Sequence, residues 1–406
     1  MLKYKTPGVY YEERFPSPVE KLQTGVPAIL GYIKGNAKFN EPQPLTHWSE
    51  FQRDFGAPLP NGYLAYAVRG FFKNGGSLCY VVPLKDTIPP EDALLEGLAA
   101  LEPLCTIDLV CTPDIMRSPP PMNLTNDPCA PDLTDSTIWS NLSPLNPDSV
   151  ITMQSAVLEH CHRLGNRFAI LDSLPHTNEQ QLHNQRRGLN GASAALYYPW
   201  VRVQDDSYLK STFVPPCGHV AGVYARSDQK IGVYKAPANE VLKGVLELEV
   251  NLTNRQQGLL NQEGINCLHT FPGREILVWG ARTLSHDPEW TYINVRRLFL
   301  TVIRWIERNM LEVVFEPNDA SLWNRIKRDL TDYFNDLFRQ GALKGSQPEE
   351  AFYVKCDEDT NPPQVREAGQ VVTEIGLAPI EPCEFIIVTI IHGTTGVTIS
   401  GVPKLG

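Results

Sequence analysis

VPAILGYI, residues 26–33, opens the pattern that decides the fold. From this stretch onward, short β-rich runs alternate with helical ones. The runs are LCYVVP at 78–83, IDLVC at 107–111, FAIL at 168–171 and ALYYP at 195–199. Between them lie YLAYAVRGFFKNG, PEDALLEGLAAL, QSAVLEHCHRLG and NEQQLHNQRRGLN. Strands that alternate with helices in this way argue for βαβ units and a mostly parallel sheet. In the third helical stretch Val157, Leu158, Cys161 and Leu164 recur at helical spacing and turn one face to that sheet. The rhythm breaks at 112–150, where RSPPPMN, NDPCAP and LSPLNP crowd proline without periodicity, which predicts a long surface insertion.

Beyond about residue 240 the grammar changes. GINCLHTFPGREILVWG holds two short strands, two long helices follow, and further strands are expected at 351–355, 371–375 and 385–391. In the first long helix Tyr292, Val295, Phe299, Val302, Ile306 and Met310 trace an apolar stripe, while Arg297, Arg304 and Arg308 share the opposite face. The second is capped by Asn318 or Asp319 and sets Leu322, Ile326, Leu330, Tyr333 and Leu337 against Arg325, Arg328, Asp332, Asp336 and Arg339. QGALKG ends it. The expected fold class is α/β: a central α/β domain with a mostly parallel sheet, a C-terminal α+β domain, and extended arms at both ends. The boundaries run 1–20 for an N-terminal arm containing GVYYEE, 21–240, 241–392, and 393–406 for a C-terminal arm.

Composition bounds the function. The 406 residues suggest two or three domains, and 42% hydrophobic with 20% charged residues is ordinary for folded chains. Lys+Arg 36 against Asp+Glu 46 leaves a net charge of −10, which argues against a nucleic-acid partner. No stretch of about 18 apolar residues occurs, and the amino-terminal residues lack a signal-type apolar run, so membrane insertion is not expected. The expectation is a soluble protein made and kept in the cytoplasm until something else releases it. Nine cysteines without a CxxC pair predict free, mostly buried thiols.

Sequence offers few candidates for chemistry. His160, Cys161 and His162 are the densest soft-ligand cluster, but helical neighbours diverge by about 100° and do not converge on one ion. Cys105 and Cys111 bracket a strand and stand about 20 Å apart in extended chain. A cysteine nucleophile partnered by His219 or His269 stays open as an alternative, because such sites assemble in space. No phosphate loop, dinucleotide fingerprint, nucleophile elbow or HExxH helix is present. No catalytic residue, metal site or cofactor is therefore expected. The arginine faces of the two long helices are either wetted surfaces held by i, i+4 pairs or docking surfaces for an acidic partner.

A string of phrases carries the strongest signal: TPGVYYEE, VPAILGYI, AVRGFFKNGGSLCYVV, VPPCGHVAGVYARSD, GVYKAPANEVL, GINCLHTFPGREILVWGARTL, YINVRRLF, FEPND, AFYVKCDEDTN and APIEPCEFIIV, in that order. Together they resemble the tail sheath proteins of contractile phage tails, phage-tail-like bacteriocins and extracellular contractile injection systems. Cys217 stands where a small hydroxyl residue is expected. The resemblance implies a non-enzymatic subunit that polymerises helically around an inner tube and contracts to drive the tube through a target envelope. Its implied partners are further copies of itself, the inner tube, and baseplate and cap proteins. The alternatives are a specialised sheath paralogue at the baseplate or cap end, or a soluble α/β enzyme.

That resemblance gives FIIVTIIHG, 385–393, a role. Its apolar ladder lacks the charge, proline or bulge that normally blunts an edge, so it is either buried in its own sheet or completed by another subunit. Sheath relatives lend both arms to neighbours, which implies inter-subunit strands at Val9, Tyr10 and Tyr11, at Ile386, Val388 and Ile390, and at Val397 and Ile399. The first and last groups are expected to be donated and the middle group to receive. The resemblance also implies a charged helix on the inner tube, placed here at Arg325, Lys327 and Arg328 ahead of Arg297 and Arg304.

Overall fold

A computed structural model describes residues 22–33, 38–118, 145–205, 210–384, 388–393 and 396–401. The chain begins with β1 (Pro27–Gly31), β2 (Gln43–Leu45), α1 (Trp48–Phe55), α2 (Leu64–Lys73), β3 (Cys79–Pro83), α3 (Pro90–Ala99) and β4 (Leu109–Cys111). It continues through α4 (Pro147–Leu164), β5 (Phe168–Asp172), α5 (Glu179–Arg187), β6 (Ala194–Tyr198), β7 (Val201–Asp205), β8 (Lys210–Val214) and α6 (Cys217–Lys230). Then come β9 (Glu240–Val241), β10 (Glu247–Leu248), α7 (Asn254–Gln262), β11 (Ile265–Thr270) and β12 (Ile276–Trp279). Helices α8 (Ile293–Asn309), α9 (Ala320–Arg339) and α10 (Pro348–Ala351) precede β13 (Phe352–Lys355), α11 (Pro363–Glu367), β14 (Glu374–Leu377), β15 (Val388–Gly393) and β16 (Gly396–Gly401).

Nine strands form one sheet in the order β2-β3-β1-β4-β5-β6-β11-β12-β9. The six from β3 to β11 run parallel, and β2, β12 and β9 finish the edges antiparallel. Every residue of β1, β5 and β6 is buried, as expected of strands covered by helices on both faces. Alternation along β1 divides the two cores: Ile29 packs with residues of α2 and α6, Ala28 and Leu30 with residues of α3 and α4. A third core joins Leu298 and Val302 of α8 to Leu322, Ile326, Leu330 and Phe334 of α9 and Val354 of β13.

The alternation of strands and helices and the mixed α/β class stand as expected, with most element ends shifted by three residues or fewer and the start of α4 earlier by seven. Asp319 caps α9, accepting from the backbone of Ser321 and Leu322. Three expectations change. The strands read with the second unit, β11 and β12, pair with the large sheet, because β11 finds the open edge of β6. At its start the 112–150 stretch is core and not surface, since residues Pro113–Met116 form a buried 3-10 turn, and at its end α4 begins at Pro147 behind an Asn146 cap, exposed there and first buried at Val150. Residues 119–144 of that stretch lie outside the described residues.

The third change concerns α8. Arg297 and Arg304 are only 2% and 4% exposed, so their face is neither wetted nor free for docking. The helix lies between two cores, with Ile293 and Leu300 in the first and Leu298 and Val302 in the third, and both of its sides are covered. Arg308 remains exposed.

Candidate functional site

The candidates for chemistry are disposed of one by one. His160 is buried, not solvated as its neighbour His162 is; its ring lies against the Arg167 guanidinium, and burial followed by that charge lowers its pKa to about 4. Burial pushes the Cys161 thiol up to about 12. Cys217 is fully buried at the start of α6, where burial holds its thiol well above the ordinary range, and the backbone N–H of the same residue donates to Asp172 at 2.8 Å. His219 follows two residues later and so points to the other side of the helix, packed against Gly70. His269 stacks edge-on against Phe271. Neither imidazole is placed to draw a proton from Cys217. Among the described residues no group of three His, Cys, Asp or Glu side chains could hold a metal ion, and no helix is long and apolar enough to cross a membrane.

The crevice where an open α/β sheet usually takes a ligand is occupied from within. β1 lies between β3 and β4, so the chain reverses direction of winding there, and ligands bind such sheets beyond the carboxyl ends of those strands. At that place Asp114 accepts from the backbone N–H groups of Tyr32 at 2.7 Å, Tyr63, and Leu64 at 3.1 Å, the last being the first residue of α2. Helix amino termini attract anions, and this one is taken by a carboxyl group of the chain itself, whose pKa burial raises against the pull of these N–H groups. Gly31 permits the approach: a Cβ there would stand 2.5 Å from Asp114 Oδ2.

Surfaces suited to assembly lie in the C-terminal part. β13 and β14 pair only with each other, Phe352 opposite Leu377 through Lys355 opposite Glu374, so both outer edges are open among the described residues. One face is covered by α9, where Phe334 meets Phe352 with ring centres 5.5 Å apart. An unpaired strand edge backed by a core can take an added strand, its N–H and C=O groups supplying the ladder. β15 and β16 form a second two-stranded unit, with Ile390 opposite Ile399, His392 opposite Val397 and Val388 opposite Gly401. The apolar run that follows Glu384 thus closes on the segment after Gly393 and not on β13 or β14, because within one chain the nearest free ladder is its own. Val9, Tyr10, Tyr11 and Ile386 lie outside the described residues.

Arg325, Lys327 and Arg328 project from the outer face of α9. Their side chains are accessible: Arg325 is 41% and Arg328 68% exposed, and Lys327 is exposed. Arg325 stands 3.7 Å from Glu312 and 3.9 Å from Asp329, and Arg328 bonds Asp329 at 3.1 Å. At the turn between α8 and α9, Leu311, Val314 and Phe315 are exposed apolar residues, and Phe315 has a φ of +73°. Hydropathy alone misses such a tip, since its residues look like the core residues that flank them.

Two family models match consecutive parts of the chain, the phage tail sheath protein central domain over residues 146–284 and the phage tail sheath C-terminal domain over 285–392. The chain belongs to the phage tail sheath family. The boundary between the two models falls just after β12, where the large sheet ends, and leaves β11 and β12 with the central part of this sheath protein. It is 30% identical over 184 residues to the tail sheath protein of Salmonella phage ViI, a match covering 44% of this sheath protein and 28% of that relative. It thus spans under a third of the length of the curated relatives it matches first. Solved structures match nearly end to end. A chain of the anti-feeding prophage baseplate aligns with TM-score 0.72 and 29% identity, covering 96% of this sheath protein and 100% of that chain. The sheath of an extracellular contractile injection system, PVC, in the contracted state gives 0.73 and 27%, covering 97% and 99%.

Proposed function

We propose that this chain is the repeating subunit of a contractile sheath, which polymerises helically around an inner tube and shortens to drive that tube through a target envelope. The observation that carries the reading is the end-to-end likeness to contractile sheath chains at 27–29% identity, with almost nothing left over on either side. The open edges of β13–β14 support it physically. In the proposed lattice that pair receives strands from neighbouring copies, Val9–Tyr11 from one and the hairpin containing Val388, Ile390, Val397 and Ile399 from another. Strand β15 travels with the donated hairpin, since its ladder closes on β16.

Each added hydrogen bond contributes only about 0.5–1.5 kcal/mol net, so a four-residue ladder is modest alone. Holding every subunit at both ends turns later contacts into intramolecular ones and makes the lattice cooperative. Arg325, Lys327 and Arg328 face the inner tube in this arrangement, and baseplate and cap proteins close the ends. Assembly inside the bacterium precedes release of the particle. Work comes from the difference between two lattice packings, so the subunit needs no catalytic residue or cofactor.

Negative-stain imaging of the purified full-length chain tests the reading: long tubes are expected. A chain lacking residues 1–21 and 394–406 is expected to stay folded and monomeric. A full-length chain that remains a compact monomer, or trimmed chains that still build tubes, would overturn it.

A further inference from the structure

The buried polar face of α8 holds two distant parts of the chain. Near its carboxyl end Arg304 Nη2 donates to the carbonyls of Gln23 at 3.1 Å, Cys105 at 3.3 Å and Thr106 at 3.0 Å. Two turns earlier Arg297 donates to both oxygens of Asp228, at 2.9 and 2.6 Å, and to Asp108 at 2.9 Å. Those carboxylates in turn hold the residues that lead into β1. Asp108 accepts from Gly25 N–H at 3.0 Å and Val26 N–H at 2.6 Å, and Asp228 accepts the Thr24 hydroxyl. Four consecutive residues, 23–26, are thereby fastened to one buried cluster of two cations and two anions. Gly25 fits only as glycine: its φ is +72°, and a Cβ would lie 2.5 Å from Ala225 Cα.

At the amino end of the same helix Asn294 Nδ2 donates to Ile380 O at 3.0 Å and Tyr234 O at 2.9 Å. Ile380 belongs to the stretch that leaves β14 for the terminal hairpin, and Glu384 pins that stretch again through two bonds from Arg282, at 3.1 and 2.5 Å. Positions 294, 297 and 304 share one face, spread over about 15 Å of helix.

We propose that α8 is a tie rod joining the roots of the two terminal arms. Load arriving at residues 23–26 passes through Arg304 and the Arg297 cluster into the helix, and leaves through Asn294 to the stretch at 380–384. The load then bypasses the large sheet, so β1 is not peeled from β3 and β4. Because the four root residues are fastened side by side, their bonds must break together, and separating the charges would strand uncompensated ions in the interior. The inference rests on the sheath reading for the origin of the load, but its test uses single chains.

The full-length chain is pulled by handles at its two ends, and amide hydrogen exchange is followed in parallel. Arg304→Met and Thr24→Val leave the Arg297 ion pairs in place, so the fold is expected to persist. In both, exchange at Gly25 and Val26 is expected to rise about tenfold, the loss of one or two hydrogen bonds, while exchange at Ala169 and Ile170 in β5 stays unchanged. Asn294→Ala is expected to leave exchange at Gly25 and Val26 unchanged yet lower the force of the first rupture, as Arg304→Met does. Equal acceleration across β5 would indicate general loosening and overturn the proposal. An unchanged rupture force in Asn294→Ala would overturn it too, even where imaging finds normal tubes.

Discussion

Arg297 and Asp172 are both buried ionisable groups, and their surroundings act on them in opposite ways. Burial alone would lower the Arg297 pKa, but Asp228 and Asp108 more than reverse this and keep the guanidinium charged. Arg297 alone bonds both carboxylates, so Arg297→Met leaves them with Arg304 as the nearest cation, 4.0 Å from Asp108. Breaking a buried pair from one side costs about 3–5 kcal/mol, and urea denaturation is expected to record a loss of that size. A loss below about 1 kcal/mol would mean that water reaches the cluster. Asp172 has no such partner. Burial raises its pKa to about 7, and the Cys217 thiol and N–H pull it back only in part. Since the folded value lies above the unfolded one, the folded chain keeps its proton where the unfolded chain has lost it. The contribution of Asp172 to stability is therefore full below about pH 4 and is lost as pH rises to about 7. Asp172→Asn removes this slope. Its melting temperature is expected to gain on that of the unaltered chain between about pH 5 and about pH 8, and parallel curves would refute the assignment.

Among the elements, α8 and α9 have similar sequence patterns and different fates. The stripe on α9 is buried as its spacing predicts, through Leu322, Ile326, Leu330 and Leu337, and its arginines stay outside. On α8 the apolar stripe is also legible, but the arginine face is covered by a second core. Helical periodicity says which residues share a face; it does not say how many faces are covered. For α9 the consequence is testable. The ion pairs of Arg325 and Arg328 are exposed and each worth about 0–1 kcal/mol, so reversing both charges should hardly affect the fold. Arg325→Glu with Arg328→Glu is expected to polymerise into sheaths that do not enclose tubes, as judged by electron microscopy. Filled, normal particles would remove these residues from the tube contact. The turn between the two helices presents Leu311, Val314 and Phe315 outward, with Phe315 in a backbone region unfavourable to a bulky side chain.

For the whole molecule, the large sheet and its helices form a body, and the C-terminal part attaches through α8. The sheet's ligand crevice is closed by Asp114, which fits a body used as a rigid block. Among the described residues β13–β14 and β15–β16 are two-stranded units separate from the large sheet, each with both outer edges unpaired. In the proposed lattice these two units carry the inter-subunit edges, so that the blocks rearrange while the edges stay paired.

The amino-acid sequence by itself determined the alternation of strands and helices, a cap for α9 at Asn318 or Asp319, the stripe of α9 and the family. Each is carried by residues close together in the chain or by phrases in fixed order. Only the tertiary structure decided that Asp114 meets Tyr32, that Asp114 also meets Tyr63, and that Arg297 meets Asp108, pairs separated by 82, 51 and 189 positions. It alone placed β11 and β12 in the large sheet and buried the second face of α8. Spacing along a chain specifies direction and periodicity, whereas the cost of burying a charge depends on which distant groups arrive to compensate it.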